Sequence, residues 1–373
     1  MSAKKILVAF GTRPEAIKLA PVIKELRRYP KRFKVVVLVT AQHRQMLDTV
    51  LELFALEPDY DLGIMMTNQS LGDVVVRILQ RIEPVLKKER PDLVLVQGDA
   101  TSAFACALAA YYQKIPIGHI EAGLRTQDKY QPFPEEVNRR FITALADLHF
   151  APTGWARMNL IEEGVDRRRI FVTGNTVIDA LKEIVRRQGP GRVPVLNTIN
   201  PNNRLLLVTI HRRENFGRPL TGICQALRQI VRLHPDVEIV FPVHLNPMVR
   251  GTVRTILSNH KRIHLIPPLD YLNFIQVLKS SYLVLTDSGG IQEEAPVLGK
   301  PVLVLRNRTE RPEAIEAGTA KLLGTEPARI IRETSILLKS KRCYQKMARA
   351  KSPFGDGRAA KRIREILTRF LAC

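Results

Sequence analysis

No run of roughly 18 apolar residues occurs in the 373 positions, so no membrane-spanning helix is expected. Residues 1–5 lead straight into a strand pattern without the segments of a signal peptide, and a cytoplasmic location is the expectation. Cysteine is scarce. Cys106, Cys224, Cys343 and Cys373 are scattered without C-x-x-C spacing, which argues for reduced thiols and against zinc or a disulfide framework. The G-x-G-x-x-G and P-loop spacings are both missing, so neither NAD nor ATP is invoked and no cofactor is expected. Acids are in deficit, 36 against 58 lysines and arginines, for a net charge of +22. The bases cluster at 27–34, 77–90, 167–169, 186–192, 212–213 and 339–364, mostly on polar faces of helical segments. Aromatics are not interleaved with them and no recognised nucleic-acid module is visible, so nucleic acid is not an expected partner. The charge reads as a solvated basic surface that favours acidic substrates, phosphate-bearing small molecules included.

What is present is an ordinary globular composition, 45% hydrophobic and 25% charged, in a chain too long for one core. Strand and helix patterns alternate. Strands are expected at 5–10, 34–40, 93–96, 115–120, 147–151 and 170–173, with helices at 12–28, 42–54, 71–88 and 101–113 between them. Residues 187–203, rich in Pro, Gly and Asn, break the rhythm beside a domain boundary. It restarts with strands at 204–210, 237–242, 263–266, 282–286 and 302–305. The expected fold is α/β, two Rossmann-like doubly wound domains facing a central cleft, spanning 1–175 and 176–357. An amphipathic helix at 358–373 is expected to pack back on the first domain.

The stretch 97–140 carries three candidate carboxylates. Asp99 follows the apolar run 93–96, Glu121 follows 115–120, and Glu135 and Glu136 follow a proline-bracketed loop and open a helical pattern. If the two runs are neighbouring parallel strands, the carboxylates converge at one sheet edge, where open α/β folds place ligands. Crowded carboxylates repel, so at least one should hold a proton near neutral pH and serve as acid or base. An acid after a strand is often only a helix cap, but three in one constellation, each beside glycine or proline, point to chemistry.

Phosphate-binding positions lie at other strand-to-helix turns. In Gly11-Thr12-Arg13-Pro14-Glu15, Thr12 suits a cap and Pro14 the first helical turn, so the amides are expected to face a ligand, with Arg13 beside them and Lys18 a turn further on. Ser288, Gly289 and Gly290 would let a diphosphate approach backbone N–H groups at the positive end of a helix, and Glu294 is placed for the hydroxyls of a ribose. His211 ends the strand 204–210 and suits a phosphate or a leaving group.

These motifs taken together, G-T-R-P-E-A-I-K (11–18), T-A-Q-H-R-Q-M-L (40–47), Q-G-D (97–99), H-I-E-A-G-L-R-T (119–126), P-F-P-E-E-V-N-R (132–139), H-R-R-E-N-F-G (211–217), D-S-G-G-I-Q-E-E-A-P (287–296) and T-E-R-P-E (309–313), resemble the non-hydrolysing UDP-N-acetylglucosamine 2-epimerases over nearly the whole chain. The resemblance implies the two-domain GT-B fold and reversible C2 epimerisation of UDP-N-acetylglucosamine to UDP-N-acetylmannosamine, by anti elimination of UDP through a 2-acetamidoglucal and re-addition. It implies a precursor for surface polysaccharide, a UDP-sugar substrate without metal, and a homodimer. Asp99, Glu121 and Glu135 become the acid–base candidates, and sequence does not decide which serves which face of C2. His211 and Arg13 would stabilise the departing diphosphate with Lys18 nearby. Ser288, Gly289 and Gly290 would hold phosphates, Glu294 the ribose, Phe274 would stack on uracil beside the backbone of Leu269, and Arg311 would complete the nucleotide end.

Gln42, Gln45, Glu136, Arg212 and His244 match a second UDP-N-acetylglucosamine site, an effector site in some bacterial members. Asn68 stands where the regulated enzymes have arginine, so weakened effector binding is expected. Gln127 in place of glycine, Asn273 before Phe274 and Asn307-Arg308 are further departures. They keep open an epimerase of a related UDP-diacetamido sugar acid, and a GT-B glycosyltransferase stays as the alternative from another class.

Overall fold

The computed structural model describes residues 3–41, 44–66, 69–187 and 193–372. Met1–Glu183 with Phe354–Cys373 form one compact unit and Ile184–Pro353 another.

The first unit contains β1 (Lys4–Phe10), α1 (Arg13–Arg27), β2 (Phe33–Val39), α2 (Arg44–Phe54), β3 (Tyr60–Asp61), α3 (Leu71–Glu89), β4 (Leu93–Gln97), α4 (Thr101–Tyr112), β5 (Ile117–Ile120), α5 (Glu135–Leu145), β6 (Leu148–Ala151), α6 (Gly154–Glu162), β7 (Ile170–Val172) and all but the last turn of α7 (Thr176–Arg186). All neighbouring strands are parallel, in the order β3-β2-β1-β4-β5-β6-β7. Helices cover such a sheet on both faces, which is why β1 and β4 read as unbroken apolar runs and are buried almost throughout.

The second unit runs β8 (Arg204–Thr209), α8 (Arg218–Leu233), β9 (Val237–Pro242), α9 (Pro247–Leu257), β10 (Ile263–Ile266), α10 (Tyr271–Ser280), β11 (Leu283–Thr286), α11 (Gly289–Val297), β12 (Val302–Val304), α12 (Pro312–Glu316), β13 (Ala320–Leu322), α13 (Pro327–Lys339) and α14 (Lys341–Ala348). Its sheet is also parallel, in the order β10-β9-β8-β11-β12-β13. α15 (Ala359–Phe370) returns to the first unit and packs on α1, where Arg364 meets Glu25 at 3.2 Å.

The units divide after Glu183 rather than after residue 175. The start of α7 is tied to the first unit. Asp179 accepts the N–H groups of Ala359 and Ala360 at 3.1 and 3.0 Å, and Lys24 reaches Glu183 at 2.6 Å. Fully buried Phe354, whose carbonyl accepts Asn175 N–H at 2.8 Å, brings the returning chain in earlier than residue 358. Strands β3 and β13 were not anticipated. Among the described residues no helix is long and apolar enough to cross a membrane.

Each sheet has the Rossmann reversal, between β1 and β4 in the first unit and between β8 and β11 in the second. There the chains leaving adjacent strands turn in opposite directions and open a crevice at the carboxyl edge. Arg13 and Asp99 leave β1 and β4, and His211 and Ser288 leave β8 and β11.

Candidate active site

β4 and β5 are parallel neighbours, with Gln97 opposite Ile120, so Asp99 and Glu121 emerge side by side. Glu121 is 6% exposed and held at φ +65°, a left-handed conformation that few non-glycine residues adopt. Its Oε2 accepts from Gln97 Nε2 at 2.9 Å and Asn175 Nδ2 at 3.2 Å and forms an ion pair with Lys18 Nζ. Asp99 is half-buried, and its Oδ2 accepts from Arg139 Nε at 2.8 Å and lies 2.5 Å from Nη2. Half-buried Glu135 opens α5, one turn before Arg139, and Asn138 Nδ2 donates to the Asp99 carbonyl at 2.9 Å. All three expected carboxylates therefore gather around two strand ends and one helix start. Crowding alone does not set their charge, because Lys18 lies against Glu121 and Arg139 against Asp99. Lys18 is thus engaged with a carboxylate.

The first loop departs from expectation. Glu15, at the third position of α1, accepts the N–H groups of Gly11 and Thr12 at 3.1 and 2.8 Å and the Ser102 hydroxyl at 3.1 Å. Those two amides face Glu15, not a ligand. Burial pushes the Glu15 carboxyl up to about 7 against the pull of these donors. Gly11 is required by packing, since a Cβ there would lie 2.0 Å from Thr40 Oγ1. Half-buried Arg13 remains beside the start of the helix.

Behind the carboxylates two histidines pair across β5 and β6. His119 and His149 are opposite in register and buried, His119 Nε2 lies 2.7 Å from the Gly98 carbonyl, and both Nδ1 atoms are buried without a hydrogen-bond partner among the described residues. Burial drives their pKa values down to about 3 and about 4, so both are neutral at physiological pH.

In the second unit α11 begins at the S-G-G turn. Ser288 N–H is taken by Thr286 Oγ1 at 2.9 Å, which leaves Gly289 and Gly290 to supply the first-turn amides for which a helix has no internal acceptor. A Cβ on Gly289 would sit 2.6 Å from Arg311 Nη1, so glycine lets the turn lie on that guanidinium. Arg311 is 4% exposed and bound to Glu293 and Glu310, each at 2.6 Å; Arg306 joins Glu310 at 2.8 Å and Glu214 at 2.7 Å. Expected at the nucleotide end, Arg311 lies beneath the turn and supports it. Glu294 Oε1 accepts the Tyr271 hydroxyl at 2.6 Å, which fixes the carboxylate with Oε2 on the Gly290 side. Phe274 and Leu269 are half-buried, and Asn273 binds the helix-capping Asp270 through its N–H at 2.8 Å and its amide at 2.6 Å.

Asp287 carried no expectation of its own. Fully buried, it accepts His211 N–H at 3.0 Å, Arg212 N–H at 2.9 Å and Asn215 Nδ2 at 2.9 Å, and its Oδ1 lies 3.2 Å from His211 Nδ1. It thereby shapes the 211–215 loop and orients the exposed imidazole. Surrounding protein pushes the His211 pKa down, and the Asp287 charge opposes that.

Of the candidate effector residues, Gln42 and Asn68 lie outside the described residues, as does the Gln45 side chain. Glu136 is fully buried and binds Thr126 N–H at 3.1 Å and Arg139 at 3.2 Å. Arg212 reaches Glu310 at 3.5 Å, and exposed His244 has its ring 6.5 Å from that of His211. Gln127 adopts φ +64°, a left-handed conformation that glycine takes up more readily, and Arg140 holds its side chain at 2.9 Å.

A family model described as UDP-N-acetylglucosamine 2-epimerase matches residues 24–368. An Escherichia coli O157:H7 protein of that name is 52% identical over 372 residues, which cover 97% of this chain and 98% of that one. The crystal structure of the Neisseria meningitidis UDP-GlcNAc 2-epimerase bound to UDP-GlcNAc superposes with a TM-score of 0.94 at 47% identity, over 98% of this chain and 100% of that one. An S. aureus MnaA–UDP co-structure gives 0.92 at 47% identity, over 99% and 97%.

Proposed function

Because the chain belongs to the UDP-N-acetylglucosamine 2-epimerase family, and so is an isomerase, we propose that it interconverts UDP-N-acetylglucosamine and UDP-N-acetylmannosamine by elimination and re-addition of UDP. A base removes the C2 proton as the C1–O bond to UDP breaks. The electrons of the C2–H bond form the C1=C2 double bond of a 2-acetamidoglucal, and UDP leaves with the bonding pair. A β-phosphate oxygen of UDP then re-forms the bond to C1 while an acid protonates C2 on the opposite face. Two faces of one carbon require acid–base groups on both sides.

The observation that carries this reading is the grouping of Asp99, Glu121 and Glu135 at two adjacent strand ends and the start of α5, with Arg139 paired to Asp99 and Lys18 to Glu121. Asp99, Glu121 and Glu135 serve as the acid–base set. Gly289 and Gly290 donate to the diphosphate at the positive end of α11, with Ser288 beside them and Arg311 supporting the turn from beneath. Glu294, fixed by Tyr271, takes the ribose hydroxyls, and Phe274 stacks on uracil beside the Leu269 backbone. His211, oriented by Asp287, and Arg13 stabilise charge on the departing diphosphate.

NMR of UDP-N-acetylglucosamine incubated with the protein in D2O tests the reading. The expected result is the manno isomer with deuterium at C2. Stoichiometric free UDP and N-acetylmannosamine would instead make the enzyme a hydrolase. Turnover confined to a UDP-diacetamido uronic acid would move the substrate to the modified sugars.

A further inference from the structure

The positive charge is concentrated where the proposed chemistry does not use it. Residues 184–353 hold 27 lysines and arginines against 12 acids, while the rest of the chain holds 31 against 24. In a parallel unit the helices run back against the strands, so their carboxyl ends and the loops entering the strands share the edge opposite to that of His211 and Ser288. In the second unit that edge exposes Arg232, Lys279 and Lys339 in the last turns of α8, α10 and α13, and Lys341, Arg342 and Lys346 on α14. α14 is fixed there by Tyr344, whose ring stacks at 4.0 Å on that of Tyr282 just before β11. Asp236 is the one carboxylate in the loops entering β8 to β12, and Arg204 holds it at 2.5 Å.

Two large apolar side chains are exposed at the same edge, Leu233 at 52% and Ile336 at 39%. A 2.9 Å hydrogen bond joins His234, which follows Leu233, to Ser335, which precedes Ile336, so both lie at one junction between Arg232 and Lys339. A cation in the last turn satisfies the helix dipole, which accounts for one per helix. It does not account for three on α14, nor for exposed leucine and isoleucine among them. Nucleic acid would call for aromatic stacking platforms rather than aliphatic side chains. We propose that this edge of the second unit docks on an anionic lipid bilayer, the lysines and arginines on phosphate head groups and Leu233 and Ile336 in the interfacial layer.

The test is flotation of the full chain with vesicles of phosphatidylcholine alone or of equal parts phosphatidylcholine and phosphatidylglycerol. Binding to the anionic vesicles alone is expected. Lys341→Glu/Arg342→Glu/Lys346→Glu should weaken it about a hundredfold, each lost contact contributing roughly fivefold. A matched reversal in the first unit, Arg27→Glu/Lys31→Glu/Arg32→Glu, changes net charge equally and should weaken it less than about tenfold. Leu233→Ser/Ile336→Ser should make the remaining binding collapse as salt is raised. Epimerase activity of every variant reports its folding. Equal losses in the two reversals would reduce the effect to net charge and overturn the proposal. So would indifference to lipid charge, or release from vesicles by duplex DNA with retention on the DNA.

Discussion

Replacing Asp287 by asparagine isolates a contact that composition and spacing do not reveal. Oδ2 of Asp287 receives three donors, from His211, Arg212 and Asn215, and Oδ1 faces His211 Nδ1 at 3.2 Å. An asparagine avoids pointing its NH2 at three donors only by keeping its carbonyl on the Oδ2 side. Its amide then faces Nδ1 and fixes that nitrogen as an acceptor. The loop survives, but the negative charge that favours imidazolium is gone. Asp287 holds the His211 pKa above where desolvation by the surrounding protein would leave it, so the variant's imidazole titrates lower and a smaller fraction is charged at neutral pH. A charge-assisted contact is worth about 1.5–3 kcal/mol, so turnover should fall roughly 10- to 150-fold at neutral pH, with less loss on the acid side. Epimerisation followed by NMR across pH, with the His211 ring titrated by its 13C–1H signals in the presence of UDP, reads both quantities. An unchanged pH profile, or a His211 pKa that rises, would refute the orienting role.

Three other outcomes follow from the same geometry. Asp99→Asn, Glu121→Gln and Glu135→Gln should each keep the fold and slow epimerisation by roughly two to four powers of ten; near-normal turnover in all three would remove them from the acid–base role. Glu294→Ala should weaken UDP binding by about 1–3 kcal/mol by calorimetry, and Tyr271→Phe by about 0.5–1.5 kcal/mol, since it removes only the orienting hydroxyl; unchanged affinity in both would take the ribose elsewhere. Acid stability should follow the buried histidines. With folded pKa values of about 3 and 4, His119 and His149 take up protons more readily in the unfolded chain, so their contribution is full above the ordinary histidine range and falls away progressively as pH drops from there to the folded values. Glu15 and Asp179, raised to about 7 and about 6, act in the opposite sense between neutrality and the ordinary carboxylate range, so the loss should steepen below about pH 4.5. Denaturant midpoints measured from pH 7 to pH 3.5 check this, and a midpoint still rising below pH 4.5 would contradict it.

The alternation of elements was legible because strands buried on both faces form apolar runs that need no partner to be recognised, as β1, β4 and β11 show. The edge strands Tyr60–Asp61 and Ala320–Leu322 are too short and too exposed to leave such a run. Asp99 and Glu121 were visible as acids that end apolar runs, a local signal. Their partners were not. Asn175 reaches Glu121 across 54 positions, Arg139 reaches Asp99 across 40, and Tyr271 reaches Glu294 across 23. Arg311 illustrates the converse. Its motif was recognisable, yet only packing reveals that Glu293 and Glu310 hold it under Gly289. Glu15 was quoted in a motif and read as part of a helix start, whereas its acceptor role depends on Ser102, 87 positions away.

In the proposed reaction the bond between C1 and UDP breaks and re-forms in each turnover. UDP-N-acetylglucosamine carrying 18O in the oxygen that bridges C1 and the β-phosphorus reads this event, because released UDP rotates its β-phosphate before adding back. Scrambling of the label into the non-bridging β-phosphate positions of recovered substrate and manno product is the predicted result. Full epimerisation with the label still in the bridge would show that C2 inverts without elimination, and the account would fail.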